Sequence, residues 1–259
     1  MTKTALVTGA SVGIGAELAR YHAKRGGNLI LTARREEALN ALKTEVESTY
    51  SITAHIIALD LAAPGGADAL YEKVKEGGHR VDILINNAGF GGQGAHIERK
   101  LEDEMAMIDL NIKALVTLTH RFAADMVAQG GGKILNVGST AGFAPGPNQA
   151  VYFATKAFVN SFGQAVDQEL RKKGVTSTVL APGYVETEFA KTAGLEGTDL
   201  VGQKGATPAS VARVGYDAMR RGELVAINEK RLDIMMNWVV PFLPRRAVLS
   251  MIERAQTKA

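Results

Sequence analysis

Two tyrosines of this 259-residue chain carry a lysine four positions downstream: Tyr152 with Lys156 in YFATK, and Tyr71 with Lys75 in YEKVK. Residues four apart on a helix lie one above the other, so each pair could hold an ammonium beside a phenol. That is proton-transfer chemistry. A free tyrosine has a pKa of about 10, and moving it to about 7 takes roughly 4 kcal/mol. A lysine ammonium about 4 Å away supplies an attraction of that order at an effective dielectric of about 20. Spacing leaves the two pairs equal, and their surroundings separate them. Tyr152 follows Ser139, which closes the apolar run KILNVGS. A serine at the carboxyl end of a buried strand stands where open α/β sheets place their ligand crevice. Its hydroxyl can donate to an oxygen held beside the phenol. Tyr71 and Lys75 fall inside GGADALYEKVKEGG, with Glu72 and Glu76 alongside, and read as a solvated helix face.

A second cluster binds rather than reacts. TGASVGIG places Gly9, Gly13 and Gly15, with Ser11 and Ile14 between them, after a short apolar run and before a helical pattern. Glycines let a backbone turn sharply and approach a pyrophosphate, and a helix N-terminus offers unpaired N–H groups and a positive dipole end. The literal G-x-G-x-x-G at Gly89, Gly91 and Gly94 is read as a decoy, because the polar AHIERK follows it instead of a helix. The second apolar run ends TARR, with no acid before Glu36. An acid there would hold both ribose hydroxyls of a dinucleotide and repel a 2′-phosphate. Arg34 and Arg35 instead offer planar forks of donors suited to phosphate. NADP(H) is therefore the preferred cofactor, with NAD(H) possible.

These groups need a frame, and the hydropathy pattern supplies one. Runs rich in Val, Ile and Leu recur at 4–8, 28–33, 54–59, 81–86, 133–137, 176–181 and 223–228, with helical patterns between them. The runs are continuous, as in strands buried on both faces. Alternating strands and helices predict one α/β domain over 1–259, a doubly wound parallel sheet with helices on both faces. The composition, 46% hydrophobic and 22% charged, is that of a protein with a substantial core. A net charge of +3 gives no reason to expect a nucleic-acid partner. The chain has no cysteine, which excludes disulfides and thiolate catalysis. His22, His55, His79, His96 and His120 show no ligand spacing, so no metal is expected, and His96 reads as a surface residue. The start, MTKTALVTGA, lacks a signal peptide's apolar segment, and no apolar run reaches about 18 residues. A cytoplasmic protein is expected.

Seven fragments in order resemble the short-chain dehydrogenases/reductases across residues 4–228. They are TGASVGIG, Asp60 with Leu61, NNAG at 86–89, Asn111, Ser139, YFATK, and PGYVET at 182–187. The resemblance implies a Rossmann-type seven-stranded sheet of order 3-2-1-4-5-6-7. It implies an oxidoreductase that moves hydride between a nicotinamide and a ketone or secondary alcohol. Asp60 would meet the adenine, with Leu61 beside it. Asn86, Asn87, Ala88 and Gly89 would lie near the adenosine ribose and steady the sheet. Pro182, Gly183 and Val185 would border the nicotinamide, and Thr187 would bond its carboxamide, although Thr187 also reads as a helix N-cap. Tyr152 would be the proton donor, Ser139 would hold the carbonyl, and Lys156 would hold the ribose and lower the tyrosine's pKa. Asn111 would anchor a water linking the lysine to solvent. A homodimer or homotetramer through helices near 100–128 and 150–173 is implied too. The alternative is a silent nucleotide-sensing or scaffold protein of the same fold.

The substrate is expected to lie over 139–149 and under 184–204, where Phe143, Pro145, Pro147, Tyr184 and Phe189 make an apolar surface. The helical extension 229–259 carries an apolar block from Ile234 to Leu243 between Lys230, Arg231, Arg245 and Arg246. A lid, a subunit contact, a peripheral membrane contact through 230–246 and simple packing on the domain all remain open for it.

Overall fold

The computed structural model describes residues 2–199, 201–202 and 204–257. Alternate residues of the central strands face opposite ways and both sets are buried, which is why their runs are continuous. In β1 (Thr4–Thr8), Ala5 and Val7 enter one core and Leu6 the other. β2 (Asn28–Ala33) and β4 (Ile83–Asn86) divide in the same way, with Ile30 and Leu84 facing Leu6's side. With β3 (Ala54–Ala58), β5 (Gly132–Val137), β6 (Val175–Leu180) and β7 (Val225–Ala226) they form one parallel sheet in the order 3-2-1-4-5-6-7. This is the expected order.

Helices α1 (Gly13–Lys24), α2 (Glu36–Tyr50) and α8 (Pro208–Arg221) bury their apolar faces in one core. The other core receives α3 (Gly66–Glu76) and α5 (Leu115–Ala128). α4 (Leu101–Ile108) leads into α5, and α6 (Ala150–Leu170) and α7 (Glu188–Thr192) complete the frame before β7. The chain ends in α9 (Lys230–Ile234), a strap over 235–242, and α10 (Arg245–Gln256). β1 lies between β2 and β4, so the strand order reverses there and opens a crevice at the strands' carboxyl ends.

Three local features differ from the sequence reading. The seventh run shortens to two residues paired only with Val179 and Leu180, as an edge strand with one neighbour can. The long helix expected over 100–128 is interrupted by a π-helical turn, Asp109–Ala114, which carries Asn111. The YEKVK pair is not a freely solvated face. The Tyr71 ring meets Phe122 edge-on at 5.2 Å, and its hydroxyl and Lys75 Nζ both reach the Asp125 carboxylate, at 3.3 and 3.0 Å. The pair fastens α3 to α5, and Asp125 occupies the lysine's charge.

Candidate active site

A cavity of about 820 Å³ opens at the carboxyl ends of the strands and runs from the glycine loop to the C-terminal helices. At its first end, Gly9 and Gly13 have φ of +64° and +59°, a region that favours glycine. A Cβ on Gly9 would stand 2.8 Å from Asn87 Nδ2. The loop is held from behind, because Asn87 Nδ2 donates to the Thr8 carbonyl at 2.9 Å and the Asn87 N–H donates to Thr8 Oγ1 at 3.0 Å. The first turn of α1 contains no acid, and its N-cap, Val12, makes no side-chain cap. Its N–H groups and dipole therefore remain available to an anion. Ser11, Gly13 and Ile14 line the cavity, as do Asp60, Leu61, Asn87, Ala88 and Gly89.

Gly15 does not line it. A Cβ there would run into the Gly9 carbonyl and the Asn87 amide, so this glycine lets α1 approach the β1 loop. Gly15→Val is expected to cost about 3 kcal/mol of stability through overpacking and to abolish NADPH binding. A thermal melt with and without NADPH reads both effects. Asn86, placed beside the ribose by the sequence reading, instead points into the sheet and donates to Thr119 and Asn136 at 3.0 and 2.9 Å. A strand-end side chain facing the interior cannot also face the crevice.

Arg34 and Arg35 both line the cavity. Arg35 reaches Glu188 at 3.2 Å, an exposed pair of little strength. Among the described residues Arg34 has no acidic partner, which leaves its guanidinium for a ligand.

Further along the cavity, α6 sets Tyr152 and Lys156 on one face, with the ammonium 5.9 Å from the ring centroid. Lys156 is buried and donates to the Val137 carbonyl at 2.8 Å. Burial pulls its pKa down to about 8. Burial pushes the Tyr152 phenol up to about 12, while a hydrogen bond with Ser139 opposes the rise. Removal from water outweighs that bond in the cofactor-free chain. Ser139 is nine-tenths buried, and its Oγ accepts from the Ala141 N–H at 3.1 Å.

Asn111 spends its side chain on protein. Its Nδ2 donates to the Phe90 carbonyl at 2.9 Å and Thr155 Oγ1 at 3.1 Å, and its Oδ1 accepts from the Phe90 N–H. The π turn thereby ties the loop after β4 to α6, one residue before Lys156. Gly91 in that loop matters too, because a Cβ there would press on the Phe189 and Tyr152 rings. The GFGGQG stretch is thus a close-approach loop against the tyrosine.

Pro182, Gly183, Val185 and Thr187 border the same space, and Thr187 Oγ1 also caps α7 by accepting from the Phe189 N–H at 3.2 Å. Tyr184 and Phe189 line the apolar end as expected, but Phe143, Pro145 and Pro147 do not. The larger part of that wall comes from the C-terminal extension, through Leu232, Met235, Met236, Val240, Leu243 and Val248. Covering the substrate end is one of the roles the sequence leaves open for this block. His96 is exposed, 3.7 Å from Glu104, and takes no part in the cavity. Among the described residues no His, Asp and Glu group could hold a metal ion, and no helix is long and apolar enough to cross a membrane.

The model of the short chain dehydrogenase family matches residues 3–196. The chain belongs to that family. Among the relatives of this short-chain dehydrogenase, a sulfoacetaldehyde reductase of Chromohalobacter salexigens is 42% identical over 193 residues, 73% of this chain and 75% of the relative. A short-chain dehydrogenase from Sphingobium yanoikuyae, solved in complex with NADPH, superposes with a TM-score of 0.85 at 31% identity, covering 98% of both chains. A bulky-bulky ketone specific alcohol dehydrogenase from Comamonas testosteroni gives 0.78 at 29% identity, over 94% of this chain and 95% of that one. This short-chain dehydrogenase is thus an oxidoreductase of alcohol and carbonyl groups, and the silent-scaffold alternative gives way.

Proposed function

We propose that the chain moves hydride between NADP(H) and the carbonyl carbon of a bulky, apolar ketone, or the reverse from its alcohol. The carrying observation is one continuous cavity in which the glycine loop and Arg34 stand at one end, Ser139, Tyr152 and Lys156 in the middle, and apolar side chains at the other. The residues present fit the dinucleotide: an acid-free helix N-terminus for its phosphates and, in Arg34, a guanidinium with no acidic partner among the described residues for a 2′-phosphate. When bound, the nicotinamide supplies or receives the hydride.

The chain supplies the proton and the positioning. The Ser139 and Tyr152 hydroxyls donate to the carbonyl oxygen, and Tyr152 gives up its proton as the carbon accepts hydride, leaving an alcohol and a phenolate. An alkoxide is about as basic as hydroxide, whose conjugate acid, water, has a pKa of about 15.7. A phenol at about 12 therefore protonates it downhill. Charged Lys156 then stabilises the phenolate. At the 5.9 Å ring separation and an effective dielectric of about 20, its attraction is worth about 3 kcal/mol. Asn111 acts as a positioning residue through Phe90 and Thr155.

The relatives include a reductase of a small sulfonated aldehyde and a dehydrogenase specific for bulky ketones. The roof of leucines, methionines and valines favours the second kind of substrate here. NADPH consumption across a panel of bulky ketones, with sulfoacetaldehyde as contrast, tests the reading, and a clear preference for the small anion would overturn it. Arg34→Ala is expected to raise the KM for NADPH roughly 10- to 100-fold while leaving NADH little changed, the worth of one charge-assisted hydrogen bond. Exposed Ile97, Leu101, Met105 and Phe158, on and near α4 and α6, support a homo-oligomer through that face.

A further inference from the structure

The extension over the cavity has two apolar faces, and only one of them is used. Leu232, Met235, Met236, Val240 and Leu243 point inward and form the roof. Ile234, Trp238 and Phe242, spaced four apart, form an outer row together with Val239. That row lies open to solvent: Trp238 is 73% exposed, Phe242 79%, Ile234 49% and Val239 44%. A helical segment apolar all round ordinarily has protein or lipid on every side. Here the outer row lacks a cover among the described residues.

Charge indicates which cover fits. Exposed Lys230 and Arg231 precede the row, and exposed Arg245 and Arg246 follow it. Between 230 and 246 the only acid is Asp233, which accepts a hydrogen bond from Asn237 Nδ2 at 2.7 Å. Aromatic side chains flanked by arginine and lysine match the boundary of an anionic bilayer, where rings enter the headgroup layer and cations meet phosphates. We propose that this strap docks on an anionic lipid surface. The roof of the cavity is the underside of the docking segment, so an apolar substrate dissolved in the bilayer would stand next to the strap that covers the active site. The use of the surface as an entry route rests on the apolar-ketone reading. The docking itself does not.

Trp238 is the chain's single tryptophan, so its fluorescence reports on the row directly. The full-length protein is mixed with phosphatidylcholine vesicles, with and without phosphatidylglycerol, and followed by Trp238 emission and co-sedimentation. The expected result is a blue shift and sedimentation with the anionic vesicles only, both weakening as salt is raised. Arg245→Ser with Arg246→Ser should lower binding by more than about tenfold, since each basic residue near such a surface is worth about fivefold. Phe242→Ser should do the same through lost apolar contact, with the far-UV spectrum and ketone turnover in vesicle-free buffer unchanged. Two results would overturn the proposal. One is no binding to either vesicle. The other is a blue shift without lipid that grows with protein concentration and vanishes in Phe242→Ser, with sedimentation showing a smaller assembly, which would assign the row to a second copy. Ketone reduction that fails while vesicle binding persists would overturn the substrate reading alone.

Discussion

Tyr152→Phe is expected to lower kcat about a thousandfold with bulky ketones, within the range that general acid catalysis supplies. The substitution removes one oxygen from a ring packed between Phe153 and Phe189, at centroid separations of 6.2 and 5.4 Å. The rings hold its position, so the phenylalanine should keep the same rotamer and the fold. NADPH affinity should change little, because the glycine loop and Arg34 stand at the other end of the cavity. Fluorescence titration of NADPH beside steady-state turnover separates the two effects. A variant with near wild-type kcat would remove Tyr152 from the chemistry.

Lys156→Met should move activity and stability in opposite directions. Activity should fall at least a hundredfold, because the phenolate loses its neighbouring cation. Stability of the cofactor-free protein at neutral pH should rise by about 1–2 kcal/mol, or a few degrees in Tm. The sign follows from burial. The folded-state pKa of about 8 lies below the model value of 10.5, so folding below pH 8 places a charged ammonium in a poorly solvated position. A shift of that size corresponds to about 3 kcal/mol, less about 1 kcal/mol for the lost hydrogen bond to Val137. Between pH 8 and 10.5 the folded lysine gives up its proton before the unfolded one does, so the native protein gains stability as pH rises through that window. The methionine variant has no such gain, and its advantage should shrink over the same window. Melting curves at neutral pH and near pH 10 read this directly. A variant less stable at neutral pH would mean that the bond to Val137 outweighs the cost of burial.

The contrast between the two Tyr–Lys pairs shows how far the sequence reached. Neighbouring residues separated YFATK from YEKVK, but they could not show that Tyr71 is half-buried against Phe122 or that Asp125, 50 positions from Lys75, occupies that lysine. Asn86 steadies the sheet but does not face the crevice, for a related reason. The four residues of NNAG are adjacent in sequence, but Asn86 is the last residue of β4 and bonds inside the sheet, whereas Asn87, Ala88 and Gly89 lie beyond the strand and line the crevice. Phe143, Pro145 and Pro147 were apolar and near Ser139 in sequence, whereas the roof came from residues about 90 positions further on.

What the sequence determined by itself was local and periodic. Continuous apolar runs specified doubly buried parallel strands, the glycines specified a tight loop into a helix, and the i,i+4 spacing placed Tyr152 over Lys156. Each of these depends on backbone geometry within a few residues, which the residue types impose wherever the segment lies. The tertiary structure alone decided the sum over distant elements: the fate of each charge, the protein partners of Asn111, the burial that carries Tyr152 upward and Lys156 downward, and the face of the C-terminal strap that meets the cavity. Desolvation and packing depend on everything within a few ångströms, and most of those neighbours lie far away along the chain.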